Sequence, residues 1–265
     1  MKHSKLKLRR WIIAASGMFC AVFLCFMLRN KSDGGSVPAV LPQAMPESLI
    51  QAAAANDYAA VGYLLGQGAD VNQSAPNGET ALMIAAEKGY TPLVAILLQA
   101  GADPGSADKL GRHALAAAAG KGHLEVIRTL LRYRADINAG ADRNQTALLT
   151  ACRAGENGAV ELLLQHKPLL FPGVTAGCGP LSGALQNRHV QTAIILLEYG
   201  ANAHERDVNG NTMLHLAVQC GSVELCEILL EKYNIDPVTP NNNGETAADW
   251  ARKSGNKSLI KLLER

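Results

Sequence analysis

The side chains in this chain that could transfer protons, attack a carbonyl carbon or hold a metal ion are its histidines, serines and cysteines. Each reaction needs at least two such groups in a fixed arrangement. Ser182 has no convincing base beside it, and no group of His and Cys residues has metal-ligand spacing. His123 and His215 occupy positions of a repeated pattern, which indicates a structural role. The sequence therefore predicts no enzyme activity, no catalytic residue, no metal site and no cofactor.

Leucines recur along most of the chain with a period of 33 residues. One ladder is made of leucine pairs and a second is made of single leucines at the same step. Two apolar positions with one period indicate a stack of near-identical units, each burying its apolar face against the next. The pairs are Leu64-Leu65, Leu97-Leu98, Leu130-Leu131, Leu163-Leu164, Leu196-Leu197 and Leu229-Leu230, and the single leucines are Leu49, Leu82, Leu115, Leu148, Leu181 and Leu214.

Residues 77–104 show what one unit contains. Thr80 stands where a helix N-cap belongs, because its hydroxyl can accept a hydrogen bond from an unpaired backbone N–H. Gly89 ends the short helix that follows, and Gly101 ends a second amphipathic helix in the left-handed cap position that glycine fills at least steric cost. Each unit is therefore predicted to be a hairpin turn, a short helix, a turn and a longer helix.

This unit resembles the ankyrin repeat, whose pattern is roughly G-x-T-P-L-H-x-A-A-x-x-G-H followed by V-x-x-L-L-x-x-G-A-D. The resemblance implies an all-α fold, an ankyrin-repeat α-solenoid of about seven helix-turn-helix units with hairpin loops, within residues 47–265. The unit that matches the pattern best carries Gly210, Thr212, Leu214, His215, Ala217 and Gly221. The units run over about 45–74, 75–107, 108–140, 141–173, 174–206, 207–240 and 241–265.

Two regions depart from the pattern. The last unit is polar, with Glu264 in place of the second leucine and Lys253, Lys257 and Lys261 nearby. A terminal unit needs a hydrated outer face, so this is expected capping. Between the fourth and fifth units, Lys167-Pro168-Leu169 replaces the Gly-Ala-Asp cap and Gly179 takes the threonine position. This junction is expected to be distorted.

Residues 11–28 form an 18-residue run without a charged side chain, preceded by a basic tail at 1–10 and followed by a Pro- and Gly-containing linker at 29–46. A helix of that length spans about 27 Å, close to the hydrocarbon thickness of a bilayer. The run is therefore predicted to be one N-terminal transmembrane signal-anchor helix. More Lys and Arg residues precede it than follow it, which predicts a cytoplasmic N-terminus and a repeat domain on the other side of the membrane.

The alternative for the N-terminal segment is a secretory signal that is cleaved. Arg29-Asn30-Lys31 follows the apolar run, and no small-x-small cleavage site lies directly after Leu28. These residues favour the uncleaved anchor, and the expected location is a single-pass plasma membrane, namely a bacterial inner membrane with a periplasmic repeat domain. Cleavage would instead make the protein secreted.

The charge of the chain is unevenly distributed. Seven of its 25 Lys and Arg residues lie in residues 1–31, whereas 22 of its 23 Asp and Glu residues follow Asp33, so the repeat domain carries about −4. Nucleic-acid binding requires a basic face. The charge therefore predicts no nucleic-acid partner, and the absence of a ligand motif predicts no small-molecule substrate.

Partner-binding residues are inferred from the resemblance, which implies that hairpin tips and the exposed side of each first helix line a concave face that contacts a protein partner. Basic side chains of the second to fourth units are expected to converge there on an otherwise acidic domain and to meet an acidic partner surface. The alternative is that these side chains form only a solvated face. The predicted residues are Lys88, Lys109, Arg112, Lys121, Arg143, Gln145 and Arg153.

A second candidate contact is apolar. Leu170 and Phe171 follow Leu169 at a hairpin tip that is polar in most units. Exposed side chains of this kind could anchor a partner. Packing of the same residues beneath a distorted hairpin is the alternative.

The sequence thus predicts a membrane-tethered protein–protein interaction module. Two other functions fit the same residues. The protein could be a secreted effector or immunity-type inhibitor that is released by signal cleavage, or it could be an assembly factor for a periplasmic enzyme.

Overall fold

The computed structural model describes residues 47–140, 145–170 and 179–264. Those ranges contain fourteen helices in seven consecutive pairs. They are α1 Leu49–Ala54, α2 Tyr58–Gly66, α3 Ala81–Glu87, α4 Thr91–Gln99, α5 Ala114–Ala119, α6 Leu124–Arg132, α7 Ala147–Ala154, α8 Asn157–Gln165, α9 Pro180–Gln186, α10 Val190–Glu198, α11 Met213–Cys220, α12 Val223–Glu231, α13 Ala247–Ser254 and α14 Lys257–Leu263.

The pairs stack in single file. The first helix of every pair packs against the first helices of the neighbouring pairs, and the second helices α4, α6, α8 and α10 form another layer behind them. Antiparallel bridges between single residues close the hairpins at Ser74–Thr80, Ala107–His113 and Arg206–Thr212. The predicted solenoid of about seven helix-turn-helix units is confirmed.

The leucine ladders form the core that holds the stack together. All six single leucines are buried, and Leu148 in the middle of the stack is 0% exposed. The first leucine of each pair is fully buried from Leu97 to Leu229, whereas Leu64 is partly exposed. Leu64 belongs to the first repeat, which among the described residues has a neighbouring repeat on one side only, and its exposure agrees with that position.

Short polar contacts begin the first helices. The hydroxyls of Thr80 and Thr146 accept hydrogen bonds from the N–H groups of Met83 and Leu149, at 3.3 and 3.2 Å. Thr246 begins α13 in the same way and forms a capping box with Asp249. A threonine cap stabilises a helix by about 1 kcal/mol, which matters for helices of only two turns.

The polar side chains of the last repeat confirm that it caps the stack, as predicted. Lys253, Lys257 and Lys261 are exposed, and the carboxylate of Glu264 accepts a hydrogen bond of 2.8 Å from the Arg252 guanidinium. The side chain that replaces a core leucine therefore lies at the surface and pairs with a neighbouring helix.

Within the described ranges, no helix is long and apolar enough to cross a membrane. The predicted basic tail at 1–10, transmembrane helix at 11–28 and linker at 29–46 lie outside the residues that the structure describes.

Candidate partner-binding surface

The hairpin tips are held in one conformation by their own carboxylates and by each other. In the tip of the third repeat, the Asp108 carboxylate accepts hydrogen bonds from the backbone N–H groups of Leu110 and Arg112, at 2.9 and 2.8 Å. The N–H of Lys109 donates to the carbonyl oxygen of Asn77 in the preceding tip, at 3.0 Å. Such bonds between adjacent tips make a rigid edge, which reduces the conformational entropy lost when a partner binds.

Gly78 is required at this edge for two reasons. Its φ of +88° lies in the left-handed region, and a Cβ atom there would lie 2.9 Å from the backbone nitrogen of Lys109. The close approach of two hairpins is therefore possible only without a side chain at this position.

Three of the predicted cations lie where the first helices end. Lys88 follows α3, Lys121 lies in the turn after α5, and Arg153 lies in the last turn of α7, and all three side chains are exposed. Lys109 is exposed on the hairpin tip beside Leu110, which is 65% exposed. We call the hairpin tips and the C-terminal ends of the first helices, which carry these residues, the inner surface.

The histidines that follow the short helices fix the positions of the cations. The Nε2 atoms of His123 and His189 lie 3.0 and 3.1 Å from the carbonyl oxygens of Glu87 and Arg153 in the preceding repeats. The structural role predicted for His123 is confirmed, because it links two repeats, and His189 links two repeats in the same way.

Arg112 is placed differently from the other cations. Its guanidinium lies 2.7 Å from the Asp108 carboxylate and 3.2 Å from that of Glu79, and its side chain is 41% exposed. Burial alone would raise the pKa of Asp108, but hydrogen bonds from Arg112 hold that pKa below its ordinary value. Asp108 and Glu79 therefore neutralise the charge of Arg112 locally, and its main role in the described residues is to brace two hairpins.

The remaining predicted contacts divide between described and undescribed residues. Gln145 is half-buried and donates its backbone N–H to the carbonyl oxygen of Gly140 at 2.9 Å. Leu170 is partly buried and packs against the core, as the packing alternative anticipated, whereas Leu169 is 51% exposed. Arg143 and Phe171 lie outside the described residues.

The structural role of Glu205 was not predicted from the sequence. Gly179 cannot cap α9 with a side chain, and the Glu205 carboxylate from the next hairpin accepts a hydrogen bond from the Ser182 N–H at 3.0 Å. The Ser182 hydroxyl donates to the carbonyl oxygen of Gly179 at 3.1 Å. Ser182 is thus part of a helix cap, and the missing threonine is replaced by a carboxylate 23 residues away.

Substitutions of Glu205 distinguish its contribution as a helix cap from the effect of its charge on stability. Burial raises the pKa of Glu205, so the folded state disfavours the ionised form. The stability that Glu205 contributes is therefore greatest below the unfolded pKa of about 4.3 and falls as the pH rises through the folded pKa. We expect Glu205→Ala to lower the unfolding free energy by about 0.5–2 kcal/mol through loss of the cap.

Glu205→Gln is the matched control, because glutamine keeps a hydrogen-bond acceptor without a charge. The difference in unfolding free energy between wild type and Glu205→Gln, measured by urea unfolding from pH 4 to pH 7, should move in favour of the glutamine variant as the pH rises. A pH-independent difference, or a change in the opposite direction, would contradict a buried carboxylate at this junction.

A groove on the last two repeats was also missed. It has a volume of about 440 Å³ and is lined by Val218, Gln219, Glu245, Trp250, Lys253 and Ser254. The indole N–H of Trp250 donates to the Glu245 carboxylate at 2.7 Å, and Lys253 pairs with the same carboxylate. The signal in the sequence was a tryptophan at a position that is aliphatic or small in most other repeats.

Comparison with known proteins agrees with this architecture. A family model described as ankyrin repeats (3 copies) matches residues 49–141 and 181–264. The match omits residues 142–180, which include the junction where the sequence departs most from the repeat pattern. Ankyrin repeats are protein–protein interaction modules.

Two curated relatives match over single stretches of the chain. Human ARF GTPase-activating protein GIT2 is 34% identical over 84 residues, which is 31% of this chain and 11% of that protein. Human transient receptor potential cation channel subfamily A member 1 is 33% identical over 87 residues, which is 33% of this chain and 8% of that protein. The chain therefore spans only about a tenth of the length of these relatives.

Solved structures match over most of the described residues. The human ASB11 ankyrin repeat domain has a TM-score of 0.71 and 26% sequence identity, over 83% of this chain and 99% of that chain. The ankyrin repeat domain of Bcl-3 has a TM-score of 0.68 and 24% identity, over 84% of this chain and 100% of that chain, and shows the shared fold alone. Since the family model covers more than half of its residues, this chain belongs to the ankyrin-repeat family.

Proposed function

We propose that this chain is a membrane-tethered interaction module that binds a partner protein through the inner surface. The observation that carries the proposal is the row of exposed cations Lys88, Lys109 and Lys121 on hairpin tips and helix ends that adjacent repeats hold rigidly together. A rigid edge that carries exposed cations suits recognition by charge and shape.

The partner is proposed to present an acidic surface. Lys88, Lys109, Lys121 and Arg153 are exposed and extend over three successive repeats. Complementary charge increases the rate of encounter and excludes wrong partners. Leu110 beside Lys109 adds an exposed apolar side chain at the tip, which can be desolvated by a partner.

The tether is proposed to be residues 11–28. The uncharged 18-residue run with basic residues before it supports this assignment, with the N-terminus in the cytoplasm and the repeats across the membrane. A tether confines the inner surface to the membrane and raises its effective concentration there. Asn144-Gln145-Thr146 is an N-glycosylation sequon, and a glycan on Asn144 would crowd the Thr146 cap of α7. We therefore propose a compartment without N-glycosylation, namely a bacterial inner membrane.

The experiment that tests the proposal is crosslinking of the full chain in its native membranes, followed by identification of the captured protein. A photoreactive side chain in place of Leu110 would report the inner surface, and the same group in place of Tyr199 on the opposite layer would be the control. Capture from Leu110 alone supports the inner surface. Capture from Tyr199 alone contradicts it.

Charge reversal at Lys109 and Lys121 should weaken binding of the captured partner about tenfold or more at low ionic strength, and less at high salt. Both side chains are exposed, so the fold should persist. Arg112 is left intact, because a glutamate there would face Asp108 and Glu79 and disrupt the hairpins. Affinity would be measured by titration of the Lys109→Glu/Lys121→Glu variant.

The matched control reverses two lysines of the terminal repeat, Lys257→Glu and Lys261→Glu. It changes the net charge equally but away from the inner surface, so the affinity should stay within about twofold of wild type. Equal losses in both variants would mean that only net charge matters, and no loss in either would reject the cationic inner surface.

A further inference from the structure

A second group of cations lies in the layer of second helices, where those of the third and fourth repeats end. Helices α6 and α8 pack side by side, and the segments that follow them are joined by a hydrogen bond of 2.8 Å from the Leu169 N–H to the Asn138 side-chain oxygen. The outer rim, as we call this group, consists of Arg132, Tyr133, Arg134, His166, Lys167 and Leu169, all exposed.

The cations of the outer rim are not neutralised by the residues that the structure describes. Elsewhere in the described ranges, Arg112, Arg128 and Arg252 each pair with a carboxylate. No such pair is formed there by Arg132, Arg134 or Lys167. The nearest acidic residue in sequence is Asp136, whose carboxylate accepts the Asn138 N–H at 2.9 Å. Within the described ranges, the outer rim therefore presents positive charge that no carboxylate neutralises.

Two of these cations occupy a backbone position that favours glycine. Arg134 and Lys167 have φ values of +62° and +54°. In the same position, the first, second and fifth repeats carry Gly68, Gly101 and Gly200, at φ values of +87°, +95° and +87°. A left-handed conformation is unfavourable for any residue with a Cβ atom. Two adjacent repeats therefore keep a cation where glycine would be more stable.

Stabilisation of the preceding helices does not explain why Arg134 and Lys167 stand in place of glycine. A cation near a helix C-terminus interacts favourably with the helix dipole, and Arg132 in the last turn of α6 already does so. At an exposed site this interaction is weaker than the cost of a left-handed conformation for a residue with a Cβ atom. A conformational cost kept at an exposed site points to a function of the side chain.

Exposed apolar side chains lie among the cations and indicate the kind of partner. Tyr133 is 36% exposed and Leu169 is 51% exposed. Lys and Arg bind anionic lipid headgroups, while tyrosine and leucine enter the interface between headgroups and acyl chains. We propose that the outer rim docks on the anionic lipid surface of a membrane.

The strength of this contact rests on the proposed tether. A few basic residues give only weak attraction to an anionic membrane surface. A tether converts docking into an intramolecular step, so weak attraction is sufficient to orient the domain. With the rim on the membrane, the inner surface on the opposite layer remains available to a partner.

The test uses the full chain with a photoreactive phenylalanine analogue in place of Tyr133, added to vesicles of phosphatidylcholine alone or of equimolar phosphatidylcholine and phosphatidylserine. Lipid adducts would be counted by mass spectrometry after illumination. We expect adducts at Tyr133 in the anionic vesicles, about tenfold fewer in neutral vesicles, and few from the analogue in place of Leu110 in either.

The decisive variant is Arg134→Gly/Lys167→Gly. Glycine removes the cost of the left-handed backbone conformation, so the melting temperature of the variant should be equal to or higher than that of wild type. Lipid adducts at Tyr133 should fall about tenfold. The charge-matched control, Lys257→Gln/Lys261→Gln, should keep its adducts. The docking surface would be overturned if the glycine variant formed as many lipid adducts as wild type, or if adducts were equally abundant in neutral vesicles. In native membranes, adducts to a protein instead of lipid would show that the outer rim contacts an acidic protein.

Extraction of the same vesicles with alkaline carbonate separates this proposal from the tether. A chain that stays in the membrane without adducts at Tyr133 retains the tether and loses the outer rim. A chain that is extracted but forms adducts in anionic vesicles retains the outer rim and loses the tether.

Discussion

Leu148→Ala should lower the unfolding free energy by about 2–5 kcal/mol. Leu148 is 0% exposed and lies in α7, which packs against the first helices of both neighbouring repeats. The truncation removes apolar contacts from two interfaces and leaves a cavity that short helices can only partly close. In a linear stack each repeat contacts only its neighbours, so a defect at the centre also uncouples the two halves.

The measurement is urea unfolding followed by circular dichroism, with Leu169→Ala as the control. Leu169 is 51% exposed, so its truncation should cost less than about 0.5 kcal/mol. A second transition in the Leu148→Ala variant would show uncoupled halves. A loss below about 1 kcal/mol would mean that the leucine ladder does not lie in the interface between repeats.

The fold could be predicted because its core residues recur in the sequence with a fixed period. A leucine repeated every 33 residues needs no knowledge of distant contacts, since residues in the same position of adjacent units are neighbours. The same rule could have found the contact of Arg112 with Glu79, which are also 33 residues apart. The ion pair is not evident from one repeat alone, because its two partners belong to adjacent hairpins.

The contacts that break the period could not be predicted in this way. Glu205 caps α9 from 23 residues away, and this depends on how the hairpin bends towards Ser182. Likewise, the exposure of Leu169 and the packing of Leu170 depend on the direction of the chain after Lys167, which has a left-handed conformation in place of the usual glycine. These features lie at the junction where the repeat pattern is interrupted.

His215 connects the last two repeats through a buried network that the repeat pattern only partly revealed. Its Nε2–H donates to the carbonyl oxygen of Glu245 at 2.9 Å, and its Nδ1 accepts from the N–H and hydroxyl of Thr212, at 3.2 and 2.8 Å. The ring meets the Trp250 indole edge to face, with centroids 5.3 Å apart. These partners assign the neutral tautomer with the proton on Nε2.

We expect His215→Ala to lower the unfolding free energy by about 2–4 kcal/mol, since it leaves a buried carbonyl and a buried N–H without partners and opens a cavity. His113→Ala is the control of the same type. His113 is half-buried and makes one hydrogen bond, of 3.1 Å to the carbonyl oxygen of Gly105, so its loss should cost less than about 1 kcal/mol. Urea unfolding measures both.

The pH dependence of the unfolding free energies of wild type and His215→Ala tests whether the buried His215 ring is neutral. Burial lowers the pKa of His215, and the nearby Arg206 adds to the effect, against opposing contributions from the Glu245 backbone and the carboxylates of Asp207 and Glu245. The unfolded state therefore binds the proton first, so the stability that His215 provides is complete above the unfolded pKa of about 6.5 and declines as the pH falls below it. The gap in unfolding free energy between wild type and His215→Ala should accordingly narrow between about pH 7 and pH 5. A gap that widens on acidification would show a protonated, charged ring in the folded protein, and the hydrogen bond from Thr212 to Nδ1 would then be wrong.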